Sequence, residues 1–282
     1  MALTSRRNLL LATALLVFGA EPASADLIAY ASTSQGDFGT IDLNTGVYSS
    51  IGSTGLSPGT AIFGMGFIGS TLYGVDNNTP GAGFYSINTA TGAATQIATL
   101  TQSAVGGTSI DGTFYGVTQD AASNLFGVDT AGGLLGTKSL GFQGDGLVAA
   151  DSSGQNLYIS EYTGNVSSGD ELFSVNISGS VTDVGGLNDG MGNGQVAIAG
   201  LIDGSTLYTT DGDNIYTYTL GSFGVSVLVS TTPITGLNPD GEQLVGLAAN
   251  ATAVPPPPSF ILLAFGALSV RFFNLRRRTI AG

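Results

Sequence analysis

The stretch TTDGDNIY, residues 209–216, sets Asp211, Asp213 and Asn214 at close, alternating spacing. Oxygen ligands so spaced can wrap a Ca²⁺ ion, which prefers an all-oxygen shell. A calcium loop of the EF-hand type also needs glycine at its sixth position and glutamate at its twelfth. Counted from Asp211 those positions hold Tyr216 and Ser222, so the pattern is not met. The stretch reads instead as a tight hairpin turn, since Asp-Gly suits two central residues at positive φ. Asp76-Asn77-Asn78, Asp145 with Asp151, and Asp189 are the other oxygen-bearing groups that could converge on a cation. They fall in connections, where such side chains also satisfy nearby backbone N–H groups. No catalytic, cofactor-binding or metal residue is assigned from these patterns. Calcium held by carboxylates is the one cofactor they leave open.

Other chemistries lack their residues. The chain has no cysteine and no histidine, which removes thiolate nucleophiles, disulfides, Cys-ligated metals and the commonest general base. Its serines have no evident base beside them. GAGFYS at 81–86 lacks the third glycine of a dinucleotide fingerprint and precedes a strand pattern rather than a helix. Between Asp26 and Val254 there is one basic residue, Lys138, against nineteen acidic ones. Such a surface repels nucleic acid phosphates and anionic lipid headgroups, so no nucleic acid partner is expected.

The elements that would hold any site recur along the chain. Leu72-Tyr73, Phe114-Tyr115, Leu157-Tyr158 and Leu207-Tyr208 repeat one motif, with Ala29-Tyr30 as a weaker first copy. The tyrosines at 30, 73, 115, 158 and 208 are spaced by 43, 42, 43 and 50 residues. A second strand follows each: GTID, YSIN, FGVD, FSVN and YTYT. Turn residues come next (Thr45-Gly46, Thr91-Gly92, Gly132-Gly133, Ser178-Gly179), then a third strand such as TQIATL. A strand of small residues precedes each tyrosine, as in GMGFI, GGTSI, GLVAA and VAIAG. Glycine and alanine are poor strand formers, and strands crowding round a central axis explain them. The motif tyrosines read as packing between sheets, with stacking on sugar rings as the rarer use.

Four strands per unit of roughly forty to fifty residues is the period of a β-propeller. The first unit lacks its small-residue strand, and LVGLAA at 244–249 has nothing after it but prolines. Pairing 244–249 with 27–31 supplies both deficits and closes a ring. The expected fold is therefore all-β, a propeller of five four-stranded blades spanning 26–250. A six-bladed ring and a β-sandwich are the alternatives. The longest repeat interval marks an insertion near GGLNDGMGNGQ, residues 185–195.

The two ends read as addresses. Residues 1–25 read as a signal-peptide helix, with a charged start, an apolar stretch, and Ala23 and Ala25 fitting the small pockets of a signal peptidase. SRRNLL at 5–10 resembles the twin-arginine export signal. Residues 251–258 are proline-rich, and 259–282 hold an apolar span followed by Arg276, Arg277 and Arg278. Residues 259–275 would make a helix about 25 Å long, a little short for a bilayer core. The arginines would hold its end on the cytoplasmic side.

Polyproline, a short span and terminal arginines together resemble the PEP-CTERM sorting signal of Gram-negative bacteria. Val254, Pro255 and Pro257 match its Val-Pro-Glu-Pro motif, while Pro256 stands where glutamate is usual. The resemblance implies a C-terminal helix held transiently in the inner membrane, cutting by an exosortase-like protease, and a surface or extracellular destination near exopolysaccharide. Leu-Tyr and Asp-x-x-Thr-Gly repeats are similar to those of other sorted secreted propellers. The function these features imply is a secreted, non-enzymatic interaction protein. The alternative they leave is a lactonase-like propeller hydrolase that holds Ca²⁺ on carboxylates.

Overall fold

Each sequence repeat folds into one twisted antiparallel sheet. The structure is a computed structural model that describes residues 27–249, apart from 58, 79–80, 119, 121, 151–154, 162–169, 188–196 and 221–225. For Leu147 and Ser226 it describes the backbone alone. The leader with Ala23 and Ala25, and the tail with Val254, Pro255, Pro257 and Arg276 to Arg278, lie outside the described residues. So do the N-terminal and C-terminal helices expected there, most of the 185–195 insertion, Asp151 and Asp189.

The described residues belong to one unit, Leu27–Asn250, and contain five four-stranded sheets and no helix. The first blade is built from β1 (Ile28–Thr33), β2 (Asp37–Asp42) and β3 (Tyr48–Ser53). The second holds β4 (Ile62–Ile68), β5 (Thr71–Asp76), β6 (Gly83–Ile87) and β7 (Ala94–Thr99). The third holds β8 (Gly106–Ile110), β9 (Thr113–Val117), β10 (Asn124–Val128) and β11 (Leu134–Ser139). In the fourth are β12 (Gly144–Ala150), β13 (Asn156–Glu161), β14 (Glu171–Asn176) and β15 (Val181–Gly186). The fifth comprises β16 (Ala199–Asp203), β17 (Thr206–Thr210), β18 (Asn214–Leu220) and β19 (Ser226–Pro233). The last strand, β20 (Leu244–Ala248), returns to the first blade and pairs antiparallel with β1, Tyr30 opposite Ala248 and Ala31 opposite Leu247. The fold is thus a five-bladed β-propeller closed by its own C-terminal strand, as the complementary ends of the sequence require.

The inner strands lie side by side in the order β4, β8, β12, β16, β20 and back to β4. Hydrophobic clusters fill the gaps between neighbouring blades. Phe38 and Ala248 of the first blade meet Ile62, Met65 and Leu72 of the second. Phe84 of the second meets Phe114 and Phe126 of the third. At the closing seam, Ala29, Ile41 and Leu247 pack on Ala199, Tyr208 and Ile215. Apolar burial between sheets is what holds such a ring together, because each blade alone leaves both faces uncovered.

The repeated tyrosines serve this packing. Tyr73 stacks on Phe84 with centroids 5.4 Å apart, and Tyr30 stacks on Phe38 at 5.6 Å. Tyr73, Tyr85, Tyr208, Tyr216 and Tyr218 are buried. The exposed large hydrophobic residues among those described are all aliphatic, so no ring here is laid open as a platform for sugars.

A further repeat emerges in the outermost strands. Each carries one unpaired extra residue, a β-bulge: Ile51 in β3, Ile97 in β7, Leu135 in β11, Val184 in β15 and Val229 in β19. The bulged residue is aliphatic in every blade and is followed by Gly52, Ala98, Gly136, Gly185 or Ser230. A bulge sharpens the local twist and bends the strand. In the first two blades the small residue that follows receives the turn of the next blade. Gly92 lies against the Gly52 carbonyl, and Gly132 against the Ala98 side chain, both at positive φ.

Candidate functional site

A propeller's axis is the first place to look for a site, because loops and strand ends from every blade converge on it. Here the inner strands meet backbone to backbone. A Cβ on Gly64 would fall 2.1 Å from the Gly107 nitrogen, and one on Gly66 2.2 Å from the Ser109 nitrogen. A Cβ on Gly146 would fall 2.3 Å from the Ile198 carbonyl oxygen. Side-chain hydroxyls tie neighbouring blades to β4: Ser109 of β8 donates to the Phe67 carbonyl and Ser32 of β1 to the Ile62 carbonyl, each at 2.5 Å. Even β4 and β12, two places apart in the ring, come close. The small residues expected at the convergence of the sheets are there because main chain fills it.

Polar chemistry collects instead at one end of the blades, where each inner strand begins. Asp37 starts β2, Asp76 ends β5, Asp145 lies in β12, Glu161 ends β13, and Asp170, Asp211 and Glu242 sit in adjoining connections. Lys138, the one lysine, points away from them and donates to the Ile177 carbonyl at 3.2 Å.

Two of these carboxylates are fully occupied. Asp76 accepts from the backbone of Asn78 and Gly83, from the Asn78 amide, and from the Tyr85 hydroxyl at 2.7 Å. Asp211 accepts from the backbone of Asp213 and Asn214, from the Asn214 amide, and from the Tyr216 hydroxyl at 2.9 Å. The two therefore occupy the same place in their blades, at the end of the second strand, each gripped by a tyrosine of the third. The equivalence is hard to see in the sequence, because the loops between aspartate and tyrosine differ in length. The tight hairpin expected at 211–212 is present, joining β17 to β18, but its turn type differs. Gly212 has φ of 101°, but Asp211 does not share the positive φ of a two-residue hairpin turn. That geometry belongs to Asp111-Gly112, with φ of 47° and 76°. Asp211 instead organises its loop by accepting backbone N–H groups.

Two other carboxyl pairs are less satisfied. Asp170, buried at the start of the fourth blade's third strand, reaches the fifth blade and accepts the Ala197 N–H at 2.8 Å. Burial pushes its carboxyl up to about 7, opposed by that hydrogen bond and helped by the charge of Asp145. Asp145 accepts the Gly146 N–H through one oxygen, while its other is buried with no donor. Burial raises its pKa as well. The second pair is Asp37 and Glu242, beside Tyr48. Glu242 Oε2 accepts the Asn238 N–H at 2.7 Å, and Oε1 is buried without a partner. Burial first, and then Glu242, raise the pKa of Asp37. Among the described residues no group of three or more acidic side chains has the geometry to hold a metal ion.

Of the residues singled out by sequence, Asp76 and Asp211 prove structural, and Asp145 gains a partner, Asp170, that spacing did not suggest. Asp37, Tyr48 and Glu242 went unnoticed because they come from opposite ends of the chain and meet only when the ring closes.

The sequence matches no described protein family and no curated protein. Its fold is similar to a chain of a nidogen/laminin complex, with TM-score 0.51 and 12% identity over 78% of this chain and 97% of that one. Two further similar structures are a protein from Lactobacillus plantarum (TM-score 0.45, 14% identity, 73% and 82% covered) and a protein from Bacteroides uniformis provisionally assigned as a 6-phosphogluconolactonase (0.44, 9%, 73% and 68%). At these identities the likeness describes the β-propeller architecture alone.

Proposed function

We propose that this chain is a secreted or surface-displayed, non-enzymatic interaction module. The observation that carries this reading is the axis filled with main chain, where Gly64, Gly106 and Gly146 abut their neighbours. An axial reaction centre needs a cavity lined by side chains, and this geometry leaves recognition to the rim and outer strands. The acidic end of the blades suits cationic groups or cation-bridged partners better than it suits anions. Its buried tyrosines argue that any matrix polysaccharide is recognised through polar contacts rather than ring stacking. Export through residues 1–25 and processing near 254–258 by an exosortase-like protease complete the proposal, and place the mature protein outside the cell. Mass spectrometry of native protein tests the processing: the reading requires a C-terminus within 254–258, and an intact 276–282 in mature material opposes it.

A second reading rests on Asp145 and Asp170. A carboxyl that titrates near neutrality beside a second carboxylate is the arrangement general acid–base hydrolysis employs. A panel of lactones and esters separates the two readings. The interaction module turns over none of them, whereas turnover lost in both Asp145→Asn and Asp170→Asn would replace it with a hydrolase.

A further inference from the structure

The loop spanning 234–243 carries the chain from the fifth blade back to the inner strand of the first. It is tied to the first blade by backbone hydrogen bonds, Tyr48 N–H to the Thr235 carbonyl at 2.8 Å and Thr235 N–H to the Gly46 carbonyl at 2.9 Å. At its end Ser34 N–H donates to the Gln243 carbonyl at 2.8 Å. Glu242 holds the loop's own turn by accepting the Asn238 N–H, which leaves Oε1 free.

That free oxygen is an anomaly. Glu242 is only 6% exposed, and Oε1 is shut from solvent with no donor. Asp37 stands within hydrogen-bonding reach of the Glu242 carboxyl, partly exposed. The Tyr48 hydroxyl lies in the field of both carboxylates, with Ser50 alongside but outside hydrogen-bonding geometry. Three oxygens thus surround one place: the two carboxyls satisfy one another only when one of them is protonated, and the Tyr48 hydroxyl has no partner. An unpaired buried carboxylate is strongly destabilising, and the domain's single lysine, at 138, is engaged elsewhere. Neutralisation then comes either from a proton shared by the two carboxyls or from a cation bound between them. Hard divalent cations take oxygen ligands, accept carboxylates readily and keep waters where protein ligands run out. The partly exposed Asp37 side gives a hydrated ion its way in.

We propose that Glu242 Oε1, the Asp37 carboxylate and the Tyr48 hydroxyl bind a divalent cation of the calcium class that pins the closing loop to β2. With two carboxylates the affinity falls at roughly 10⁻⁴ to 10⁻³ M, the range of extracellular calcium modules. The ion then acts as a clasp on the ring, tightening the seam in calcium-rich surroundings.

The test uses the full-length chain, freed of metal, with Ca²⁺ and Tb³⁺ as probes. Calcium should raise Tm in a saturable manner, and Tb³⁺ should emit on tyrosine excitation because Tyr48 adjoins the site. Glu242→Gln and Asp37→Asn should each lose the Tm response, while Asp211→Asn, whose carboxylate is already occupied, retains it in full. Tyr48→Phe should lose most of the Tb³⁺ emission and weaken the calcium response. A wild-type Tm that ignores Ca²⁺ to 10-fold above that affinity range, or a response unchanged in both Glu242→Gln and Asp37→Asn, would overturn the site.

Discussion

A side chain on Gly106 would place its first carbon 2.1 Å from the carbonyl oxygen of Gly146, on the neighbouring inner strand. No rotation of a side chain relieves such a contact, because both partners are main chain. The ring's small radius is therefore written into its glycines, and replacing one forces inner strands apart.

Gly106→Ala should lower unfolding free energy by about 2–3 kcal/mol or more. Gly127→Ala is the control: its Cβ would meet nothing closer than 3.4 Å, and Gly127 does not need positive φ. It should change stability by less than about 1 kcal/mol and can be stabilising, since alanine restricts the unfolded chain. Urea unfolding midpoints of the two variants check the contrast.

The paired grips on Asp76 and Asp211 give a second expectation. Tyr85→Phe removes a hydroxyl that donates to a buried carboxylate at 2.7 Å, and should cost about 1–2 kcal/mol. Tyr216→Phe acts at the matching place, but Asp211 is more exposed, so its cost should be smaller. Equal and negligible effects in both, measured by denaturant titration, would show that the tyrosines matter for packing alone.

Much of this architecture was legible in the residues. Tyrosine spacing marked the blades, and glycine runs such as GGTSI marked the axis, because both follow from local pattern. The orphaned strand at 244–249 announced its partner, since an unpaired edge at each end of a repeat array calls for closure. The bulges were not recognised, although Ile51-Gly52, Ile97-Ala98 and Val184-Gly185 carry a readable aliphatic-small signal. A bulge depends on register with the partner strand, which one strand's pattern does not contain. The carboxyl pairs were hidden for a similar reason. Asp145 and Asp170 are separated by a whole hairpin, and Asp37 and Glu242 by nearly the whole ring. Burial of Tyr73 and Tyr208 agrees with the reading of the motif tyrosines as packing between sheets.

Asp170 predicts a pH dependence whose sign is fixed. Its folded-state pKa, about 7, lies above the ordinary value of 3.8. The folded state therefore holds the proton more tightly than the unfolded chain does. That contribution is fully present below the unfolded pKa and fades as pH rises towards 7. Asp170→Asn keeps an acceptor for the Ala197 N–H but cannot ionise. The variant should gain on wild type between pH 5 and pH 8, by about 1–3 kcal/mol at the upper end. Thermal unfolding across that range checks it, and a constant offset between the two proteins would mean that Asp170 does not titrate there.

Closure of the ring by the chain's own C-terminal strand is the claim on which the sealed axis, the seam site and the rim-binding reading all depend. Amide hydrogen exchange across residues 28–33 and 244–248 tests it most directly, because β20 has no partner strand other than β1. A closed ring gives slow exchange of equal depth in the two segments, matching the inner strands of the other blades. Rapid exchange of 244–248 while β5 and β9 remain protected would contradict it, leaving an open array rather than a ring.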